Sequence, residues 1–261
     1  MMGTTKIEWA ERTWNPVTGC TPISEGCQNC YAERMSKRLA GRAGYPAEEP
    51  FQVTLHPDRL EEPLRWRKAR KVFVCSMSDL FHDDVPDDFI EKVFNVMDRC
   101  GAEHNATGNR GHIFMVLTKR PHRMKAFVDR WWRSFQAHGV EPYMERIWLG
   151  VTAENQDQAD KRIPILLQIP AAVKFVSVEP MLGRLTLDDY INAYYPGPLG
   201  DGISWVICGG ETGPGARPMH PDWVRSLRDQ CEEAGVPFFF KQWGEWAQMD
   251  TPGYIGNQEN L

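Results

Sequence analysis

The sequence predicts an α/β protein, a complete or partial (β/α) TIM-type barrel, from three observations. Short, continuously apolar runs recur at close to the ~30-residue spacing of a βαβ unit. Amphipathic helical patterns fill several of the gaps. The runs end alike, in polar clusters, as strands do at the mouth of such a barrel. A doubly wound sheet is the alternative architecture. The chain has 261 residues, 42% of them hydrophobic, enough for a sizeable core without disulfides or metal. The expectation is one domain over residues 1–248 and a polar tail over 249–261.

The elements follow in order. A strand over residues 14–18 leads into a cysteine cluster, and a helix begins near Tyr31. A second strand over 72–75 precedes a helix after Pro86, where Phe89, Val93, Val96, Met97 and Cys100 form one apolar stripe. Strands over 113–117 and 147–151 come next, then a helix over 155–167 that Pro164 is expected to kink or divide. Strands over 173–178 and 205–208 follow. A helix opened by Pro221 and closed by Gly235 leads to a seventh strand over 237–240. The Gly- and Asn-rich stretch 101–111 and the Pro-rich stretch 194–202 read as loops.

Composition excludes several classes. The aromatic and apolar content is that of a folded protein, and no apolar run approaches the ~18 residues of a membrane span. Lys6, Glu8, Glu11 and Arg12 leave no apolar signal region near the start, so a cytoplasmic location is expected. The net charge of −5 argues against a generic polyanion binder. Seven cysteines, an odd number, do not make a disulfide framework. Cys75, Cys100, Cys208 and Cys231 stand alone in apolar settings and read as buried packing.

Polar residues gather after the strands. They are Ser76, Ser78 and Asp79; Lys119 and Arg120; Thr152, Glu154 and Asn155; Ser177 and Glu179; Glu211; and Lys241 with Gln242. In a (β/α) barrel these would converge on one mouth and build a polar ligand pocket. The glycines of residues 209–215 match neither a Walker loop nor a dinucleotide fingerprint.

Cys20, Cys27 and Cys30 fall within eleven residues as C-x6-C-x2-C, with Pro22 and Gly26 bending the loop between them. Three thiolates this close can converge on one metal centre. Structural zinc wants four ligands and would need a distant fourth. A 4Fe–4S cluster usually takes four thiolates; with three, one iron stays open to an outside ligand. The loop follows the first strand of a barrel-like pattern and in this resembles radical S-adenosylmethionine (SAM) enzymes, although its first gap is three residues longer than theirs and Asn29 precedes the third cysteine.

The chain also resembles the DUF5131 family, the phage Gp37/Gp68 proteins, over about residues 5–247. The resemblance rests on residues 14–20 (WNPVTGC), 27–32 (CQNCYA), 76–81 (SMSDLF), 117–121 (LTKRP), 148–151 (WLGV), 178–180 (VEP), the GGE at 209–211 with Arg217-Pro218, and 240–244 (FKQWG). It implies a radical SAM-like barrel in a phage or mobile element of a bacterial host. By the radical SAM resemblance, Cys20, Cys27 and Cys30 would hold a 4Fe–4S cluster, and an external one-electron reductant would feed it. SAM would then be cleaved to methionine and a 5′-deoxyadenosyl radical. Ser76, Ser78, Asp79, Thr152, Glu154, Asn155, Ser177 and Glu179 become candidates for holding SAM. Lys119, Arg120, Glu211, Lys241 and Gln242 are left for substrate. Basic stretches at 65–71, with Trp66, and at 119–125, beside Trp131 and Trp132, suit a nucleotide or modified DNA base. The competing class is a non-enzymatic zinc or Fe–S protein that binds nucleic acid.

Overall fold

Seven parallel strands follow one another across a single sheet in chain order, in a computed structural model that describes residues 7–107, 111–139, 142, 144–191 and 202–246. The first is β1 (Arg12–Trp14). A short β2 (Val17–Thr18) and the first helix, α1 (Tyr31–Leu39), come next. The antiparallel partner of β2 is β3 (Thr54–Leu55). Then β4 (Lys71–Val74), α2 (Asp87–Thr107), β5 (Ile113–Thr118) and α3 (Pro121–Gln136) alternate. They are followed by β6 (Ile147–Thr152), α4 (Gln156–Leu167), β7 (Lys174–Val178) and the single turn α5 (Asp188–Ile191). The last elements are β8 (Trp205–Gly209), α6 (Pro221–Glu233) and β9 (Phe238–Gln242).

The order β1-β4-β5-β6-β7-β8-β9 never reverses, so there is no doubly wound switch point. Right-handed crossovers in one direction put all the helices on one side, and the sheet must curl away from them. Trp9 measures that curl. Its ring lies 4.7 Å from Phe73 on β4 and 6.1 Å from Trp205 on β8. Those strands are four spacings apart, about 19 Å in a flat sheet, so the sheet is a partial barrel. Phe73, Met115, Phe175 and Ile207 line its inside with Trp9. Gly150 leaves room there, since a Cβ would sit 2.6 Å from the Phe175 ring. Residues that alternate with these, such as Val72, Val74, Phe114 and Val116, join the larger core under the helices.

Several expectations need correction. The strand expected over 14–18 is two, because Pro16 has no N–H for a ladder and the chain bends there. The stretch from Gly101 is no loop at its start, since α2 runs on to Thr107. Pro164 does not divide α4. Its ring costs only the bond to the carbonyl of Asp160, an exposed residue. Pro121 opens α3, a helix the sequence reading passed over. Trp131 and Trp132 are buried on it, and Trp66 is buried against His112, so these indoles pack the core and do not stack on a ligand. Residues 249–261 and most of 194–202 lie outside the described residues. Among the described residues, no helix is long and apolar enough to cross a membrane.

Candidate metal and cofactor site

The loop carrying the three cysteines lies across the carboxyl ends of the strands. Its start is fixed where the Gly19 amide donates to the Met77 carbonyl (3.0 Å) and the Cys20 amide to that of Phe51 (3.1 Å). Its end is fixed because Cys30 caps α1. Gly26 is pressed onto the barrel so tightly that a Cβ would fall 2.4 Å from the Glu154 side chain. Cys20, Cys27 and Cys30 are free and half-buried, whereas the other four cysteines are free and buried.

Three carboxylates from alternate strand ends clamp this loop, Asp79 and Glu211 through an arginine and Glu154 directly through a loop serine. After β4, Asp79 accepts from Thr118 Oγ1 (2.7 Å), the Lys119 amide (3.1 Å) and Arg120 Nη1 (3.1 Å). Arg120 reaches on to Thr21 O (3.2 Å) and lies 3.6 Å from Cys20 Sγ. After β6, Glu154 is fully buried between Lys119 and Arg162, and Ser24 of the loop donates to it (2.6 Å). After β8, Glu211 receives a two-pronged contact from Arg217 at 2.9 and 2.6 Å and a hydrogen bond from Asn29 (2.9 Å). Arg217 also donates to Glu25 O (2.9 Å). Asn155 caps α4 and reaches Glu25 Oε1 (3.0 Å).

Two of these pairings hold a carboxyl below its ordinary pKa. Burial works to raise the Glu154 carboxyl, but the Lys119 and Arg162 charges outweigh it and hold the pKa below its ordinary value. Glu211 is likewise held down, by hydrogen bonds from Arg217 and Asn29 against its burial. Burial and the Asp79 charge push the Cys20 thiol up to about 11, with Arg120 opposing them.

One rim pair does not reach the loop. Glu179, after β7, pairs with Lys241 on β9 (2.8 Å) and accepts from Ser177 Oγ (3.3 Å). Tyr31 donates its hydroxyl to the Ser76 carbonyl. Ser76 Oγ bonds Asn15 (3.2 Å) and Ser78 Oγ bonds the Val17 carbonyl (2.8 Å), so both hydroxyls serve the junction of β1, β2 and β4. Thr152 is buried and gives its carbonyl to Arg162 (2.8 Å). Gln242 accepts the Gly210 amide on its own carbonyl (2.9 Å).

The structure therefore gathers the expected residues at one rim and adds Ser24, Asn29, Arg162 and Arg217, which sequence reasoning missed. Arg162 carried a signal. It shares the buried face of α4 with Ala159, Ile163 and Leu166, and a charge on an apolar face demands a partner.

The donor set fits an iron–sulfur cluster. Three soft, uncrosslinked thiols share one loop, and the guanidinium beside Cys20 offsets part of the burial that otherwise keeps its thiol protonated. Ser24 Oγ, whose proton goes to Glu154, lies 3.8 Å from Cys27 Sγ and can accept from that thiol. Among the described residues, no three His, Cys, Asp or Glu side chains stand together as a single-ion site.

Comparisons with known proteins place the chain in a family. It belongs to the DUF5131 family, described as proteins of unknown function, whose model matches residues 4–258. No curated protein matches it. Three solved structures of spore photoproduct lyase are similar, each matched over 92% of this chain and 79% of that one. A cysteine-to-alanine mutant has 11% identity and a TM-score of 0.49. A complex with a dinucleoside spore photoproduct has 12% and 0.45, and a tyrosine-to-phenylalanine mutant 12% and 0.43.

Proposed function

We propose that this DUF5131 protein is a radical SAM-type enzyme in which Cys20, Cys27 and Cys30 hold a 4Fe–4S cluster. The observation that carries the reading is one loop of three free, half-buried thiols clamped across the mouth of a partial (β/α) barrel. Bound there, such a cluster together with SAM and an external one-electron reductant would supply reductive cleavage of SAM.

The chain's own residues divide the remaining work. Asp79, Glu154 and Glu211 spend their oxygens on the clamps, so they position the thiols and do not contact the cofactor. Arg120 supports negative charge at Cys20. Glu179 and Lys241, part-exposed at the rim and backed by the buried Ser177, do not serve the loop and are the groups to receive an amine, a ribose hydroxyl or a carboxylate. The aromatic packing around Trp9 and Trp205 closes the barrel's other end to water. A nucleotide or nucleic-acid base is the proposed substrate.

Anaerobic purification tests the reading. The protein should be brown, and the triple Cys20→Ala, Cys27→Ala, Cys30→Ala variant should lose its iron while Cys75→Ala keeps it. Reduced, reconstituted protein given SAM should release 5′-deoxyadenosine. A colourless protein carrying zinc would favour the non-enzymatic reading, and iron surviving the triple substitution would move the site elsewhere.

A further inference from the structure

The two basic stretches singled out in the sequence do not offer the surface expected of them. Residues 65–71 run into the start of β4 and so lie at the amino end of the sheet, opposite the cysteines. Their indole, Trp66, is 8% exposed. Trp131 and Trp132, beside the second stretch, are buried. Among the described residues, the exposed large hydrophobic side chains are Ile23, Tyr31, Met35 and Trp246. All four belong to the other end. Ile23 is in the cysteine loop, and Tyr31 and Met35 are on α1 directly after Cys30. Trp246 follows Glu245, whose amide donates to Glu211 O (2.8 Å).

Helix α1 sorts these residues by face. Ala32 and Ser36, four apart, are buried. Tyr31, Met35 and Arg38 are exposed at successive offsets of four and three, which at about 100° per residue puts them in one stripe. Arg42 is exposed in the turn that follows. The stripe starts beside the third cysteine with a ring, continues with a thioether and ends in guanidinium groups. The residue is 48% exposed while its hydroxyl is held inward by the Ser76 carbonyl. Neighbouring Glu33 is neutralised by Lys37 (2.8 Å) and does not oppose an anion there.

The geometry points to α1 as a docking track for single-stranded nucleic acid, in which Tyr31 stacks a base at the mouth and Arg38 and Arg42 take backbone phosphates. Apolar ring, flexible Met and flanking cations are the parts of a stacking platform with an electrostatic groove. The span from Tyr31 to Arg38, about 10 Å at 1.5 Å per residue, covers roughly three stacked nucleotides at ~3.4 Å each. This inference rests on the nucleic-acid substrate proposed above and names the surface that would deliver it.

Fluorescence anisotropy with labelled 12-nucleotide single strands, one arm DNA and one RNA of the same sequence, tests it on the full chain. Wild type should bind at least one arm, with an affinity that falls as salt rises. Arg38→Glu with Arg42→Glu should reduce the salt slope by at least roughly 1.4, the share of two phosphates on a single strand. Tyr31→Ala should weaken binding roughly 5- to 100-fold, while Tyr31→Phe, which keeps the ring, should not. Arg67→Glu with Lys68→Glu, at the opposite end, should change neither slope nor affinity by more than about two-fold. The inference is overturned if neither strand binds, if the α1 double variant binds as wild type, or if the opposite-end variant loses as much. SAM cleavage without nucleic acid is measured separately on wild type and on the α1 double variant. Loss of SAM cleavage in wild type with stripe-dependent binding intact would refute the enzyme and leave the track standing.

Discussion

The two ends of the barrel are built from opposite materials. At the amino end, Trp9, Phe73, Trp148, Phe175, Trp205 and Phe239 meet ring to ring, and none of them titrates. At the carboxyl end, carboxylate and guanidinium groups meet across a loop that has almost no apolar anchor of its own. The first arrangement is non-directional and tolerates adjustment. The second is directional, so it fixes where three sulfurs sit, but every member depends on its partners. Stability and placement are thus separated along one sheet, and that separation can be broken from either end.

The largest effect is expected at Glu154. Glu154→Ala strands Arg162 at a buried position and Lys119 at a half-buried one, which costs about 3–5 kcal/mol. It also removes the acceptor of Ser24. Denaturant unfolding should show the loss in stability, and iron content after anaerobic reconstitution should fall with it. Full iron in a destabilised protein would mean the clamp does not position the thiols.

The opposite end supplies the matching case. Trp9→Ala opens a cavity in the inner cluster and should cost about 3 kcal/mol. Trp9→Phe should cost much less, because the buried Trp9 indole nitrogen has no hydrogen-bond partner to lose. Both variants should keep wild-type iron per folded protein, measured at a temperature where each is folded. Loss of iron in Trp9→Ala at such a temperature would show that the two ends are coupled through the sheet.

The uneven legibility of the sequence has the same origin. Strands buried on both faces of a parallel sheet read as apolar runs, so six of the seven were visible within a residue or two. The first was misplaced because Pro16 interrupts an otherwise strand-like stretch. Helix α3 was missed although Met124, Phe127, Val128 and Trp131 form a helical stripe, because the charges around them read as a surface. The rim residues were legible as polar strand ends. Their partners were not, since Ser24 and Glu154 are 130 residues apart and Asn29 and Glu211 are 182 apart. No local pattern encodes such pairs. At Asp79, Glu154 and Glu211, which the sequence offered as ligand contacts, the structure adds clamps on the cysteine loop.

A pH titration should sharpen the contrast by a smaller amount. Glu154 and Glu211 have folded pKa values below their ordinary 4.5. Such groups contribute stability that is complete above the unfolded value and is lost as pH falls through the folded one. Acidification below about pH 4.5 should therefore loosen the rim first. Hydrogen exchange, corrected for intrinsic rates, should accelerate in residues 19–30 before it does in β4 to β8. Simultaneous acceleration at both ends would mean the clamps are not the acid-sensitive part.

The smallest effect is expected from Arg67 and Lys68 in the basic stretch before β4, and set against Trp66 it discriminates between two readings of that stretch. Arg67 and Lys68 are exposed, while Trp66 between them and Arg65 is buried, edge-on to His112 at 5.4 Å and beneath the Arg12 guanidinium at 5.0 Å. If the indole is core, its loss and the loss of its charged neighbours should differ in kind. Arg67→Ala with Lys68→Ala removes only solvated charge and should move unfolding free energy by no more than about 0.5 kcal/mol. Trp66→Ala should cost about 3 kcal/mol, through lost packing and a cation–π contact. Trp66→Phe should fall between them, because the buried Trp66 indole nitrogen also lacks a partner and its removal offsets part of the lost area. Chemical denaturation of the three variants checks the order. A Trp66→Ala protein as stable as wild type would return the indole to the surface, and the amino end of the barrel would then have to be counted as a second place for a base to stack.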